Sequence, residues 1–377
     1  MPAPELLRSV HELSDDDWLN LETDKDPFIS RAFLGAAEAC VTEHGPLGWV
    51  PMHLSLRGDD GVIDSFLPLY ARDHWYGDFA GDYGWHAAWE QAGLNYFPKL
   101  VTGVPFTPSP GPRLLLGKNT HPGKTSELIA AAIEVTEAVG ASNWQCLFVR
   151  EQERAALESA GLLMRRGVQF HWRNRGYRDF ADFLESLTAT KRKKMKRERR
   201  SVEEAGLHVE VRTGSDIDEH LWQAIHRHYC STFERLGGHA AFSLDFFRSV
   251  GSALGRQMVV FCAFEGERAV ASAICYQDDA ALYGRHWGTD INCPRLHFEL
   301  CYHAGIEYAI KHGLQRFEPG AQGEHKIARG FEPVSTWSAF WIVDERLREA
   351  VVRYLEREDA AIRDYQAQMA DHLPYRD

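Results

Sequence analysis

The chain has 377 residues, a net charge of −12, 44% hydrophobic and 12% aromatic residues, which is enough apolar material for two cores and too much for a disordered polymer. Its first residues, MPAPELLRSV, do not form a basic, apolar leader, and no later run approaches the ~20 apolar residues of a bilayer span, so neither a secretory leader nor integral membrane contact is expected. Seven cysteines with no CxxC spacing point to reduced thiols in a cytoplasmic protein, and a disulfide framework or metal site is not expected.

Residues 5–45 read as helical, with a turn at Asp24–Pro27. Trp49–Leu56 and Val62–Tyr70 alternate as two strands of a hairpin around residues 57–61. The stretch Ala71 to Trp89 interleaves aromatics, Tyr76 and Trp85 among them, with Arg72, His74, Asp78 and Asp82. Five prolines follow between Pro98 and Pro112, with Lys99 and Arg113 at the ends. Such a segment is too irregular for an element and too apolar for a linker, so it predicts an ordered wall beside a cleft. Arg72, His74, Tyr76, Asp82, Trp85, Lys99 and Arg113 are its candidate substrate-binding residues. A strand Arg113–Leu116, a helix Ser126–Val139, a strand Trp144–Val149, a helix Glu151–Ala160 and a strand Val168–Trp172 complete a first half, residues 1–175. Residues 117–125 imitate a phosphate loop with one residue too many between the glycines. They lie between a strand and a helix N-terminus, which makes the first half the expected place for a nucleotide-type donor.

The second half, residues 176–377, repeats the plan. Helices are predicted at 179–205, 216–236 and 242–254, then a hairpin (Met258–Phe264, Ala269–Tyr276), a strand Leu282–Trp287, a helix Pro294–His312 and a strand Gln315–Glu318. Arg72, His74 and Trp75 find an echo in Arg285, His286 and Trp287, so an internal duplication is expected. The amphipathic helix Asp344–Met369 is assigned to the second half and packs on its body.

Charge is concentrated. Residues 165–200 carry thirteen Lys/Arg against four Asp/Glu, a local +9. Within the helix 190–205, Lys191, Arg192, Lys193, Lys194 and Lys196 occupy the first turns and Glu203 and Glu204 the last. That is the reverse of what the helix dipole favours, by ~0.3–1 kcal/mol per charge. The arrangement predicts phosphate binding, whether a tRNA backbone, an acidic carrier protein or a pyrophosphate, with a solvated face as the plain alternative. The densest cluster is RFEPGAQGEHKIARGFEPVSTW, Arg316 to Trp337. Here Gly320, Gly323 and Gly330 space Gln322, Glu324, His325, Lys326 and Arg329. Three glycines carry an entropic cost that a plain connector would not need.

The order of elements in the second half resembles a GNAT acyltransferase fold. The whole chain resembles the Fem-type tandem-GNAT predicted N-acyltransferases labelled peptidoglycan biosynthesis/recognition. The motifs that carry this likeness are FLPLYARDHWYGDF, LNYFPKLVTGVPFTPSPGPR, KRKKMKRERR, HFELCYHAGIEYAIKHGLQRFEPGAQGEHKIARGF and the strand after it. The resemblance implies a mixed α/β protein of two GNAT-like halves with a cleft between them. It implies transfer of an acyl or aminoacyl group from an activated ester or thioester to an amine of a small molecule or peptide. No cofactor is tightly bound on this reading; the donor is acyl-CoA, an acyl carrier protein or an aminoacyl-tRNA. In such a fold two strands splay around the donor. Here Leu282–Trp287 and Gln315–Glu318 would do so, with Arg285, His286 and Glu318 at the gap and Glu324, His325 and Lys326 beyond. Glu318 or His286 is the expected base and Lys326 the cation facing the oxyanion or a donor phosphate; Arg285, Gln322 and Arg329 are expected to bind the donor. The plainer alternatives are an ion pair of Glu318 with Arg316 or Arg329, and a core role for His286. Lys326 and Gly330 stand where the family carries a lysine-x-glycine signature, with three residues between them. Two further functions fit: aminoacyl-tRNA-dependent transfer to a peptidoglycan precursor, and non-catalytic recognition of a cell-wall or peptide ligand.

Overall fold

The computed structural model describes residues 4–376 apart from 22, 24, 44–46, 59, 119, 122 and 322. The chain divides into two compact units, Met1–Gly167 with Ser335–Arg363, and Val168–Val334 with Asp364–Asp377. No helix among the described residues is long and apolar enough to cross a membrane.

Unit 1 contains two sheets. The smaller is antiparallel, in the order Glu5–Leu7, His53–Arg57, Ile63–Leu67, Leu115–Leu116. The larger runs Trp49–Pro51, Leu69–Arg72, Lys99–Thr102, Asn143–Val149, Glu332–Ile342. In it Lys99–Thr102 and Asn143–Val149 are parallel, and their outer neighbours are antiparallel to them. A parallel pair needs a crossover. The helix Lys124–Ala138 supplies it, burying Leu128, Ile129 and Ala132 against Leu54, Leu100 and Trp144. The predicted hairpin strands are both broken in two, because Pro51 and Pro68 cannot donate to a ladder and the chain changes sheets beside them. The third strand of the larger sheet is Lys99–Thr102, inside the proline-rich stretch, and not Arg113–Leu116. Among the described residues of 5–45, the α-helices are Asp15–Asn20 and Arg31–Glu43, with single 3-10 turns at Val10–Glu12 and Pro27–Ile29 and a strand at Glu5–Leu7.

Unit 2 has one sheet in the order Leu207–Thr213, Met258–Glu265, Arg268–Gln277, Ala281–Thr289, Arg316–Glu318, Leu163–Arg173. Ala281–Thr289 and Arg316–Glu318 are parallel, and a helical stretch from 296 to 311 crosses between them. Its core includes Phe183, Met195, Phe261, Leu282, Ile306 and Phe317. The long helix predicted at 179–205 is two, Phe180–Glu185 and Ala189–Glu203.

The sequence of antiparallel, parallel and antiparallel pairings is the same in both sheets, as a duplication requires. The Arg-His-Trp repetition is not part of it. Arg72 lies on the counterpart of Arg268–Gln277, whereas Arg285 lies on the counterpart of Lys99–Thr102. The division at residue 175 also changes. Trp172 and Arg173 pair with Phe317 and Arg316 in unit 2, and residues 337–342 pair with residues 143–149 in unit 1. The closing strands are thus exchanged relative to chain order, and most of the helix Glu345–Ala370 goes with unit 1. Each segment is apolar enough to cover either sheet, and which edge it covers is a long-range choice.

Candidate functional site

Ala281–Thr289 and Arg316–Glu318 pair only as far as Tyr283 and Glu318. Pro319 then has no N–H to extend the ladder, and Gly320 turns away at φ +98°. On the opposite edge of the 281–289 strand, His286 pairs with Ile274 and Gly284 with Cys275, so Arg285 is an extra residue. Such a bulge leaves one residue out of the ladder and bends its strand. The two effects part the strands and leave a cavity of about 80 Å³ bounded by Gly284, Arg285, Trp287, His297, Cys301 and Pro319. These are the two strands that the resemblance implies would splay.

Glu318 stands at the parting, 2% exposed. Its carboxylate accepts from Arg316 Nε at 3.1 Å, with Arg285 Nη2 at 3.8 Å and His171 Nδ1 at 3.9 Å. Burial alone would raise its carboxyl, but His171, Arg316 and Arg285 together hold it below the ordinary value. A carboxylate so well neutralised is a weak proton acceptor. His286 packs edge-on to Tyr229, Phe242 and Phe247, at ring distances of 4.9, 5.8 and 6.2 Å. Burial, and then Arg285, push its imidazole down to about 3. It is a neutral, weakly basic histidine of the aromatic cluster, the plainer of the two roles expected for it, and it also lines the cavity.

Lys326 sits in the short helix Glu324–Arg329, held between Gly323 at φ +116° and Gly330 at φ +91°. A β-carbon at Gly330 would also come within 3.0 Å of the Tyr375 hydroxyl and 3.2 Å of Phe183, which is why this turn needs glycine. The ammonium of Lys326 is buried, at 1% exposure, and donates to the Gly320 carbonyl at 2.6 Å. Burial brings it down to about 7; the nearby Cys301 thiol opposes the shift and Arg285 adds to it. Arg285 and Cys301 also bound the cavity, and Gly320 follows Pro319. Amine and ammonium are therefore both populated near neutral pH. His325 is exposed, its Nε2 at 2.7 Å from the Tyr302 hydroxyl, and Glu324 accepts from Tyr365 at 2.8 Å. Gln322 lies outside the described residues.

The basic helix Ala189–Glu203 buries Met195, Glu198 and Val202. Glu198 accepts from Arg329 Nη2 at 2.7 Å and Nε at 3.2 Å, with His303 Nε2 at 3.0 Å. Arg329, 2% exposed, also lies 3.6 Å over the Phe298 ring. It locks the helix to the Lys326 turn and has no exposed face for a donor, contrary to expectation. Arg199 pairs with Glu299 and Glu307 at 3.1 and 2.7 Å. No acidic partner among the described residues meets Lys191, Arg192, Lys193, Lys194, Lys196 or Arg197. The sequence does carry a signal for Glu198. It is the one acid in KRKKMKRERR and shares the apolar stripe of Met195 and Val202. The ion pair of Glu318 with Arg316, the plainer alternative in the sequence, is present at 3.1 Å, whereas His171 and His297 left no such signal.

Most of the unit 1 candidates are structural. Arg72 is 1% exposed, 4.0 Å over Trp49, and donates to the Leu47 and Tyr76 carbonyls. Arg113 donates to the carbonyls of Leu147, Pro112 and Ser109 at 2.8, 3.0 and 2.6 Å. Lys99 is fully buried between Asp82 at 2.6 Å and Asp78 at 2.9 Å, and Asp82 also accepts from Tyr96 and Gln145. Trp85 is buried against Phe340. Desolvated and internally paired side chains of this kind hold a fold together. Only Tyr76, 39% exposed, and the half-buried His74 reach the surface. Where the strands of unit 1 could part, the chain fills the space itself: Gly111 bridges to Val149 and its N–H donates to the Phe148 carbonyl at 3.1 Å. In the imitation phosphate loop, Lys124 is already paired with Asp64 at 3.4 Å and Glu127 at 3.2 Å; Asn119 and Pro122 lie outside the described residues. The parting of strands is in unit 2; in unit 1 the helix Lys124–Ala138 borders a separate cavity of about 300 Å³ beside Leu56.

The family described as FemAB-like, peptidoglycan biosynthesis/recognition, matches residues 9–377. The crystal structure of FemX is similar over 84% of this chain and 92% of its own, at 12% identity and a TM-score of 0.51. The C-terminal domain of a predicted lysylphosphatidylglycerol synthetase from Agrobacterium fabrum is similar over 92% and 95%, at 9% identity and 0.54. L-PGS from Bacillus licheniformis is similar over 85% and 96%, at 10% identity and 0.50. No curated protein matches significantly. At such identities the likeness is one of fold, mixed α/β as the sequence implies.

Proposed function

We propose, since the chain belongs to the FemAB-like family, that it is an N-acyltransferase whose chemistry takes place in unit 2, at the parting of strands Ala281–Thr289 and Arg316–Glu318. The observation that carries this reading is the buried amine of Lys326 beside that parting, poised near pH 7. Attack on an ester needs a neutral amine and a group to take its proton, and the best acceptor has a pKa near the working pH. Of the groups at the gap, Glu318 is held ionised by the two guanidinium groups of Arg316 and Arg285 and His286 is desolvated, which leaves Lys326. In this mechanism the acceptor nitrogen forms the new C–N bond and the donor C–O or C–S bond breaks. Lys326 takes the amine's proton and returns it to the leaving oxygen or sulfur. An N–H freed by the Arg285 bulge meets the developing oxyanion. A reducing, cytoplasmic setting belongs to the same reading, supported by seven cysteines held as free thiols.

The test is direct. Purified protein is offered acyl-CoA, acyl carrier protein or aminoacyl-tRNA with a panel of amines and peptidoglycan precursors, and amide product is sought by mass spectrometry. Product that disappears in Lys326→Met supports the reading. Tight binding of a cell-wall fragment with no product from any donor would favour the non-catalytic alternative.

The donor's carrier bears phosphate in this proposal, because six cations of the basic helix have no acidic partner among the described residues. Changing Lys191, Arg192, Lys193 and Lys196 to Gln leaves the melting temperature unchanged or slightly raised, since Lys191 and Arg192, in the first turn of Ala189–Glu203, each oppose the dipole by ~0.3–1 kcal/mol. Donor binding weakens. For a nucleic-acid carrier the log–log salt dependence flattens by ~0.7–0.9 per lost contact. A small pyrophosphate gives a shallow slope. Equal affinity and slope in both proteins would leave the helix a solvated face.

A further inference from the structure

We propose that the cavity at the bulge is the acyl subsite and that it takes a short, uncharged acyl chain, not a cationic aminoacyl group. The inference rests on the acyl-transfer reading above and goes on to name the transferred group. Its size sets the first limit. At about 80 Å³ it is close to half the ~150 Å³ of a cavity that admits benzene, which leaves room for roughly two to four carbons. The strand face contributes Ala273, Ile274 and Cys275, and Trp287 adds an indole wall. The Trp287 ring is fixed against His297 at 4.7 Å, and His297 against Tyr302 at 5.3 Å, so this wall is held by packed rings.

Charge sets the second limit. Among the described residues lining the cavity there is no carboxylate, whereas Arg285 is one of them. The nearest acid, Glu318, is already met by Arg316, Arg285 and His171. His286 and His297 are held neutral by burial, at about 3 and 4. An α-ammonium placed here would be desolvated beside a guanidinium with no counter-charge, an arrangement proteins avoid. An acetyl, propionyl or butyryl chain needs only the apolar wall.

The probes are non-hydrolysable amides of N-acetylcysteamine-like stems carrying acetyl, butyryl, octanoyl or glycyl groups, which hold no phosphate and so bypass carrier recognition. Binding is measured by calorimetry on the full chain. Acetyl and butyryl probes bind, and octanoyl and glycyl probes bind weaker by about tenfold or more. Ala273→Val, which narrows the cavity, loses the butyryl probe, and Trp287→Ala admits the octanoyl one. Glycyl binding as tight as acetyl, or chain-length preference unmoved in both variants, would overturn the proposal. Its failure is distinct from failure of the enzymatic reading. Short acyl probes that bind in a protein making no amide leave the subsite standing. Amide formation that depends on Lys326 while no short probe binds leaves the enzyme standing and removes the subsite.

Discussion

Lys326→Met lowers transfer by ~10²–10⁴-fold, the usual contribution of a positioned proton acceptor, while the folded protein becomes more stable at neutral and acid pH. The sign follows from the shift. The amine falls from 10.5 to about 7 on folding, so between those values the unfolded chain binds more protons and wild-type stability rises with pH. The cost of burying the cation is complete below pH 7 and fades as pH climbs toward 10.5. The methionine variant carries no such cost; its advantage is largest below pH 7 and declines above it. Denaturation at pH 6 and pH 10 reads this directly. The rate of the wild type gives the second arm. If the free amine is the acceptor, kcat/KM rises through about pH 7 to a plateau. A role as the cation facing the oxyanion would instead make activity fall above pH 7, and Lys326→Arg, permanently charged, would keep it. An active arginine variant removes the proton-acceptor role.

Glu198→Ala destabilises unit 2 by ~3–5 kcal/mol, because it leaves the Arg329 guanidinium buried without its partner. The double change Glu198→Leu with Arg329→Met recovers most of that loss, since replacing both members of a buried pair by apolar groups is close to neutral. Urea unfolding of the wild type and the two variants measures it. Burial pushes the Glu198 carboxyl up, but His303 and Arg329 outweigh it and hold it below 4.5. Its contribution is therefore present above that value and lost as pH falls through the lower folded value; the alanine variant shows no such acid limb. Lys326 and Arg329 share one short turn, so transfer falls along with stability in Glu198→Ala and returns in the double variant only if the turn recovers its place. A stable, fully active alanine variant would reduce the cluster to an incidental contact.

The residues alone carried the break after Glu318 and the order of strands and helices before it, because both depend on local rules. Proline and glycine after Glu318 stop a strand wherever they occur, and the three glycines around Lys326 do take left-handed or otherwise positive φ. The order of a strand, a helix and a strand between 282 and 318 likewise required a parallel pair with a crossover. The reversed charge of the basic helix was also plain in KRKKMKRERR. Tertiary structure decided the rest, since burial and partners are long-range properties. It withdrew Arg72, Lys99 and Arg113 from any substrate by enclosing them, and it gave Arg329 to Glu198, 131 residues away. It also set His286 among aromatic rings and brought His171 to Glu318 across the chain. Chain order assigned the strands near 168 and 337 to the wrong halves, because an edge is covered by whichever apolar strand reaches it. The sequence by itself determined that a lysine would stand among glycines after a short strand. Only the folded interior, by stripping water from that lysine, made it an amine that can change its charge at neutral pH.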